Sequence, residues 1–160
     1  MNYILVTGSS GLVGSEASIF FHEKNFKILG LDNDKRSYFF GRSASTKKMT
    51  KQLKNELKNY KHLNIDITNL KNLEKIFLKY KNKIKCIIHA AAQPSHDWAT
   101  KEPLTDFSIN ASGTLNLLYL TKKYCKKSVF IYVSTNKVYG DLPNSLPLIE
   151  KKTRYEIKVS

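Results

Sequence analysis

The chain has 160 residues, 41% of them apolar, and its 27 Lys and Arg against 13 Asp and Glu give a formal net charge of +14. That length suits one domain with a proper core, and no apolar run approaches the roughly 18 residues of a membrane span. Two cysteines, Cys86 in an apolar run and Cys125 near a helix end, make no disulfide framework and read as reduced thiols of a cytoplasmic protein.

The opening residues, MNYILVTG, form a short strand pattern without the basic region or cleavage site of a signal peptide. After this first strand, over 3–6, comes Thr7-Gly8-Ser9-Ser10-Gly11-Leu12-Val13-Gly14. Gly8 suits a tight turn, Gly11 a close backbone approach to a diphosphate, and Gly14 close helix-to-strand packing. The diphosphate would sit on the N-terminus of the helix that follows, where free N–H groups and the helix dipole favour anions. Ser15 follows Gly14 directly, so a Gly-Lys-Ser/Thr phosphate loop is excluded. Val13, Ala17, Phe20 and Phe21 share one face of that helix and predict its buried side.

A second strand over 28–31 ends at Asp32, eighteen residues after Gly14. A carboxylate there accepts from both hydroxyls of an adenosine ribose and repels a 2′-phosphate, which favours NAD over NADP, although Arg36 is near enough to tolerate the phosphate. The next basic stretch places Met49, Leu53, Leu57 and Tyr60 at helical spacing among lysines, predicting an amphipathic helix with a solvated basic face. The positive charge comes from 24 Lys and 3 Arg spread along the chain. Specific nucleic-acid recognition favours clustered Arg, so weak, salt-sensitive attraction to polyanions is expected instead.

A third strand over 63–67 carries Asp66 and Ile67 at its end, where Asp66 could take the amino hydrogens of an adenine and Ile67 supply an apolar wall. Leu70, Leu73, Ile76, Phe77 and Tyr80 make the next helical face. The fourth strand, over 84–89, runs into Ala90-Ala91-Ala92-Gln93, small residues that let a cofactor lie against backbone. His89 and His96 have no ligand spacing for a metal, and Ser95-His96-Asp97 is no triad, since adjacent residues do not converge on one atom. A long helix follows over 104–125, with Ala111, Leu115, Leu118 and Tyr119 predicted as its packing stripe. Tyr119 and Lys123 have Tyr-x-x-x-Lys spacing but lie on that helix, and they read as packing.

The fifth strand, over 129–133, delivers the Ser134-Thr135 hydroxyls towards a pocket. From Asp141 the chain reads as an extended loop with two prolines, and 151–160 has no clear period. Strands and helices in strict alternation predict an α/β fold, a Rossmann-type doubly wound parallel sheet, truncated after about the fifth strand. In such a sheet ligands bind outside the carboxyl ends of the strands.

Together these residues resemble the extended short-chain dehydrogenase/reductases, the NAD-dependent epimerase/dehydratase superfamily. Asp32-Asn-Asp-Lys-Arg36, Phe39-Phe40-Gly41, Gln93-Pro-Ser-His-Asp-Trp98, Asn110-Ala-Ser-Gly-Thr-Leu-Asn-Leu-Leu118 and Ser134-Thr-Asn-Lys-Val-Tyr-Gly-Asp141 are similar to the CDP-paratose 2-epimerases. The resemblance implies NAD at Gly8, Gly11, Leu12, Val13, Gly14, Asp32, Asn33, Arg36, Asp66, Ile67, Ala90, Ala92, Gln93 and Asn110. It implies that Thr135 holds the reacting sugar oxygen while C2 of a nucleotide sugar is oxidised to a ketone and reduced on its other face. The family's catalytic Tyr-x-x-x-Lys pair and its substrate domain have no counterpart in residues 1–160, which match an N-terminal NAD-binding portion. A homo-oligomer, or pairing with a C-terminal half, is therefore expected. Three alternatives stand beside this reading: a nucleotide-sugar 4-epimerase or 4,6-dehydratase, a non-catalytic dinucleotide-binding remnant, and a basic polyanion binder.

Overall fold

The structure, a computed structural model, describes residues 2–135 and 140–158. Five parallel strands form one sheet in the order β3-β2-β1-β4-β5: β1 (Tyr3–Thr7), β2 (Lys27–Leu31), β3 (Tyr60–Leu63), β4 (Ile84–His89) and β5 (Val129–Tyr132). Helices α1 (Leu12–Glu23), α2 (Lys35–Phe40), α3 (Lys47–Glu56) and α4 (Leu70–Tyr80) connect the first four strands. The link from β4 to β5 holds α5 (His96–Lys101), α6 (Pro103–Phe107), a π-helical turn (Ser108–Gly113) and α7 (Thr114–Tyr124). The order reverses between β1 and β4, and at this switch point the carboxyl ends of the strands open a crevice.

Strand side chains alternate between the two faces of the sheet, which gives two cores. Leu5, Leu29, Leu31 and Ile87 pack under α4 and α7 with Leu73, Phe77, Leu117 and Leu120. Ile4, Val6, Ile28, Cys86 and Ile88 form the other face, covered by Ala17 and Phe21 of α1 together with Phe26 and Tyr60.

The third strand lies over Tyr60–Leu63, earlier than the 63–67 that its apolar run predicts. Leu57 ends α3 in an extended conformation, and Ile28 N–H donates to Asn59 O at 2.8 Å, so the chain joins β2 sooner. Tyr60, expected on the helix, instead belongs to β3 and covers Gly30 of β2. Asp66 and Ile67 consequently stand beyond the strand's carboxyl end, in a turn where Ile65 N–H donates to Leu63 O.

Two helical faces also differ from expectation. The buried residues of α1 are Gly14, Ser15 and Ser18, while Val13 and Phe20 are about half exposed and Leu12 is 85% exposed. Only small side chains fit between α1 and the glycine loop, so helix-to-sheet contact wins over the apolar stripe. Along the π turn and α7 the buried residues are Ile109, Gly113, Leu117, Leu120 and Thr121, and the predicted stripe of Ala111, Leu115, Leu118 and Tyr119 faces outward. The wider π turn shifts the helical phase relative to an unbroken α-helix. After β5 the chain forms a separate antiparallel hairpin, β6 (Leu148–Glu150) with β7 (Tyr155–Ile157), where no period was legible.

Candidate functional site

The glycine loop leaves β1 through Gly8, whose φ of +65° lies in the left-handed region. A Cβ on Gly8 would stand 2.8 Å from the Ala91 amide nitrogen, and one on Gly14 would stand 2.0 Å from Gly8 O. The loop therefore folds only because these positions lack side chains. Gly11 is the N-cap of α1 and makes no side-chain cap bond, so the first-turn N–H groups, which have no partner within the helix, lie at the crevice that Leu12, Val13 and Gly14 line.

Asp32 stands at the carboxyl end of β2 and ties the neighbouring segments together. Its Oδ2 accepts from the Ser10 amide at 3.0 Å, and its Oδ1 from the Asp34 amide at 2.9 Å and the Thr46 hydroxyl at 3.0 Å. Asp34 adopts the left-handed conformation (φ 57°) and accepts from the Ser45 hydroxyl at 2.8 Å and the Thr46 amide at 2.7 Å. Burial opposes its charge, but those hydrogen bonds outweigh it and hold the Asp34 carboxyl below the usual range. Asp34 was missed in the sequence, where it is one acidic residue in a polar loop. Its value lies in pinning the 42–46 segment beside Asp32.

Asp66 works at the far end of the crevice. Its Oδ1 accepts from the Thr68 amide at 2.9 Å and hydroxyl at 2.7 Å, and its Oδ2 from Asn33 Nδ2 at 3.1 Å and Lys35 Nζ at 3.0 Å. Burial again raises its pKa, and Thr68 and Lys35 more than reverse that, so the carboxylate stays ionised.

The wall formed by 90–93 is held from behind. Gln93 N–H donates to Asn110 Oδ1 at 2.9 Å while Asn110 Nδ2 donates to Gln93 O at 3.0 Å, so the π turn grips this backbone as a strand would. The Gln93 side chain turns inward to Asp106 and Ser95. His89 sits buried between Thr7 Oγ1, 2.7 Å from Nδ1, and Thr114 Oγ1, 2.9 Å from Nε2. Thr114 donates its hydroxyl hydrogen to Asn110 O, which makes His89 Nε2 the protonated nitrogen. Burial pushes the His89 pKa down to about 4. Ser95 accepts from Trp98 N–H and caps α5, which accounts for the Ser95-His96-Asp97 string.

These elements enclose a cleft of about 260 Å³. Gly8, Gly11, Leu12, Val13, Gly14, Asp32, Asn33, Arg36, Asp66, Ile67, Ala90 and Ala92 all line it, whereas Gln93 and Asn110 stand behind its wall. Lys35, Phe39, Phe40, Thr46, Ile65 and Val133 line it too, and none was singled out from the sequence as touching a ligand. Phe39 is positioned by Trp98, whose indole N–H donates to Phe39 O and whose ring lies 5.5 Å from the Phe39 ring. Arg36 stacks its guanidinium 5.1 Å from the Phe40 ring. Thr135 is exposed just beyond β5, two residues past the lining residue Val133. Of the 134–141 string, residues 136–139 lie outside the described residues. Tyr119 lies midway along α7 and Lys123 in its last turn, before the chain enters the start of β5 at the end of the sheet opposite the cleft; Lys123 is paired with Glu74 at 2.9 Å.

A parallel sheet of this order, with a glycine loop entering an uncapped helix and a carboxylate ending the second strand, defines a Rossmann-type dinucleotide-binding fold. The profile of the NAD dependent epimerase/dehydratase family matches residues 4–158. The chain belongs to that family. It is 32% identical over 152 residues to a CDP-paratose 2-epimerase of Salmonella typhi, covering 95% of this chain and 42% of the relative. It is 35% identical over 143 residues to a UDP-glucuronate 4-epimerase of Thermodesulfobacterium geofontis, covering 88% and 41%. The chain thus spans about two fifths of the length of these relatives. Among solved structures it is similar to a UDP-Glc/GlcNAc 4-epimerase from Campylobacter jejuni (TM-score 0.73, 23% identity, covering 96% of this chain and 43% of the other). It is also similar to a UDP-glucose 4-epimerase from Thermotoga maritima (TM-score 0.66, 27% identity, 87% and 40%).

Proposed function

We propose that this chain is the NAD-binding portion of a nucleotide-sugar epimerase, with the dinucleotide lying in the cleft. One observation carries the reading: an uncapped helix N-terminus, Asp32 and Asp66 all meet in that cleft. The first turn of α1 would take the diphosphate, with Gly8, Gly11 and Gly14 giving it backbone access and Leu12 and Val13 flanking it. Asp32 would accept from the ribose hydroxyls, and Asn33 and Arg36 would bound them. Asp66 and Ile67 would face the base, and Ala90 and Ala92 would form the floor that Gln93 and Asn110 hold in place. Once bound, the dinucleotide supplies a hydride acceptor that returns the hydride. Thr135 would hold the sugar hydroxyl whose carbon is oxidised and then reduced on its other face.

For the sugar we favour inversion at C2 of CDP-paratose to give CDP-tyvelose. The Gln93-to-Trp98 and Ser134-to-Asp141 strings support this, as does the similarity to the Salmonella typhi enzyme. A 4-epimerase or 4,6-dehydratase is the second reading, because relatives with those names match at 32–35% identity. The proton acceptor, a Tyr-x-x-x-Lys tyrosine in the resembling enzymes, would come from the part of the fold that residues 1–160 do not span.

Trp98 is the only tryptophan and packs on Phe39 of the cleft, so its emission reports on the site. Titration with NAD should change that emission saturably, NADP should bind more weakly, and Asp32→Ala should weaken NAD about tenfold or more. A folded chain that binds neither dinucleotide would overturn the reading.

A further inference from the structure

All four acceptor positions of the Asp66 carboxylate are occupied, two by Thr68, one by Asn33 and one by Lys35. A base amino group reaching Asp66 therefore finds an acceptor only when one donor withdraws. Thr68 is held two residues away in the same turn, and Asn33 is pinned because its Oδ1 accepts from the Lys35 amide at 3.2 Å. Lys35 Nζ is the donor free to move. It ends a flexible stem, its side chain is 35% exposed, and it lines the cleft.

Resting on the reading of the cleft as a dinucleotide site, we propose that Lys35 is a specificity-determining residue, which pairs with Asp66 so that the site takes 6-oxopurine dinucleotides as well as adenine ones. Adenine presents an amino donor beside the acceptor N1. Hypoxanthine presents the carbonyl O6 beside the donor N1–H, the reverse order. A carboxylate alone serves adenine and repels O6. An ammonium beside it reads either edge. For adenine, the amino group donates to Asp66 Oδ2 and Lys35 donates to N1. For hypoxanthine, N1–H donates to Asp66 and Lys35 donates to O6. In both pairings Lys35 passes its hydrogen bond from Asp66 Oδ2 to the base and stays beside the carboxylate.

The test is calorimetric titration of the chain with NAD and with nicotinamide hypoxanthine dinucleotide. The two ligands carry the same diphosphate, so their affinity ratio cancels the general effect of removing a cation. The wild type should bind them within about threefold, Lys35→Met should favour NAD by about tenfold, and Lys35→Arg should keep the wild-type ratio. An ion pair about one-third exposed to solvent adds little to stability, so Lys35→Met should melt close to the wild type. A ratio unmoved by Lys35→Met, or a wild type that already prefers NAD tenfold, overturns the role of Lys35 and leaves the dinucleotide site standing. A wild type that binds neither ligand overturns the dinucleotide reading, and this proposal with it.

Discussion

Gly30 and Tyr60 illustrate how single residues set the cleft. A Cβ on Gly30 would stand 2.3 Å from the Tyr60 hydroxyl oxygen, and that hydroxyl reaches Ser9 Oγ in the glycine loop at 2.9 Å. Burial pushes the Tyr60 pKa up, so the group stays a neutral hydrogen-bonding phenol. Gly30→Ala should cost about 1–3 kcal/mol in urea unfolding through overpacking. In a double-mutant cycle with Tyr60→Ala the two losses should sum to more than the double variant loses. His89 sets a pH dependence at the same scale. Its folded pKa of about 4 lies below the ordinary 6.5, so the unfolded chain binds the extra proton first. Stability tied to His89 is complete above pH 6.5 and should fall by about 3 kcal/mol as pH drops towards 4. Unfolding curves across that range should lose this slope in His89→Gln. The glycines and Asp32 were legible because backbone clearance and strand-end carboxylates leave a local pattern. Asp34, Tyr60 and His89 were not, because their partners lie 11 to 82 positions away.

Among the elements, the π turn matters most to the cleft. Its residue Asn110 clamps the Gln93 backbone at both N–H and C=O, and Gly113 lets Ile67 pack where a Cβ would stand 2.6 Å from Ile67 Cδ1. Asn110→Ala leaves those backbone groups unpaired in a largely buried setting, an expected loss of about 1–3 kcal/mol. It should also weaken NAD binding, read by Trp98 emission, although Asn110 does not line the cleft. The strands of the five-stranded sheet were legible from their apolar runs except the third, where the pairing partner Ile28 decides which residues enter the sheet, and the hairpin strands β6 and β7 were not legible. The existence of α1, α3, α4 and the helical stretch that ends in α7 was legible as well, and that of the short helices α2 and α5 was not. Which face is buried was not, because helical periodicity marks an apolar stripe without saying what lies opposite it.

For the whole molecule, the open flank beside β5 is the main feature. Val129 and Ile131 pair with Cys86 and Ile88, so they point to the α1 side of the sheet, yet Val129 is 59% exposed. Leu12 and Phe20 of α1 are exposed on that same side, and Leu104, Phe107, Leu115 and Leu118 stand exposed elsewhere. Parallel sheets are ordinarily covered on both faces, and an exposed edge strand invites pairing. The net charge of +14 opposes association at low salt. Light scattering should therefore rise as salt screens that charge. The Val129→Lys/Ile131→Lys double variant should suppress the rise while changing the melting temperature little, since both side chains are about half exposed and a lysine stem can lie along the sheet with its ammonium in water. No helix among the described residues is long and apolar enough to cross a membrane.

Local rules determined the parallel α/β order, the glycine loop and the strand-end carboxylate Asp32, because turn sterics and strand period act over a few residues. The tertiary structure alone decided that Lys35 and Asn33 saturate Asp66, that Asn110 braces the wall from behind, and that the apolar stripe of α7 faces outward. Each of these depends on which distant segment lies opposite, and the energy of a buried polar group or a close contact is set by that neighbour and not by its own place in the chain.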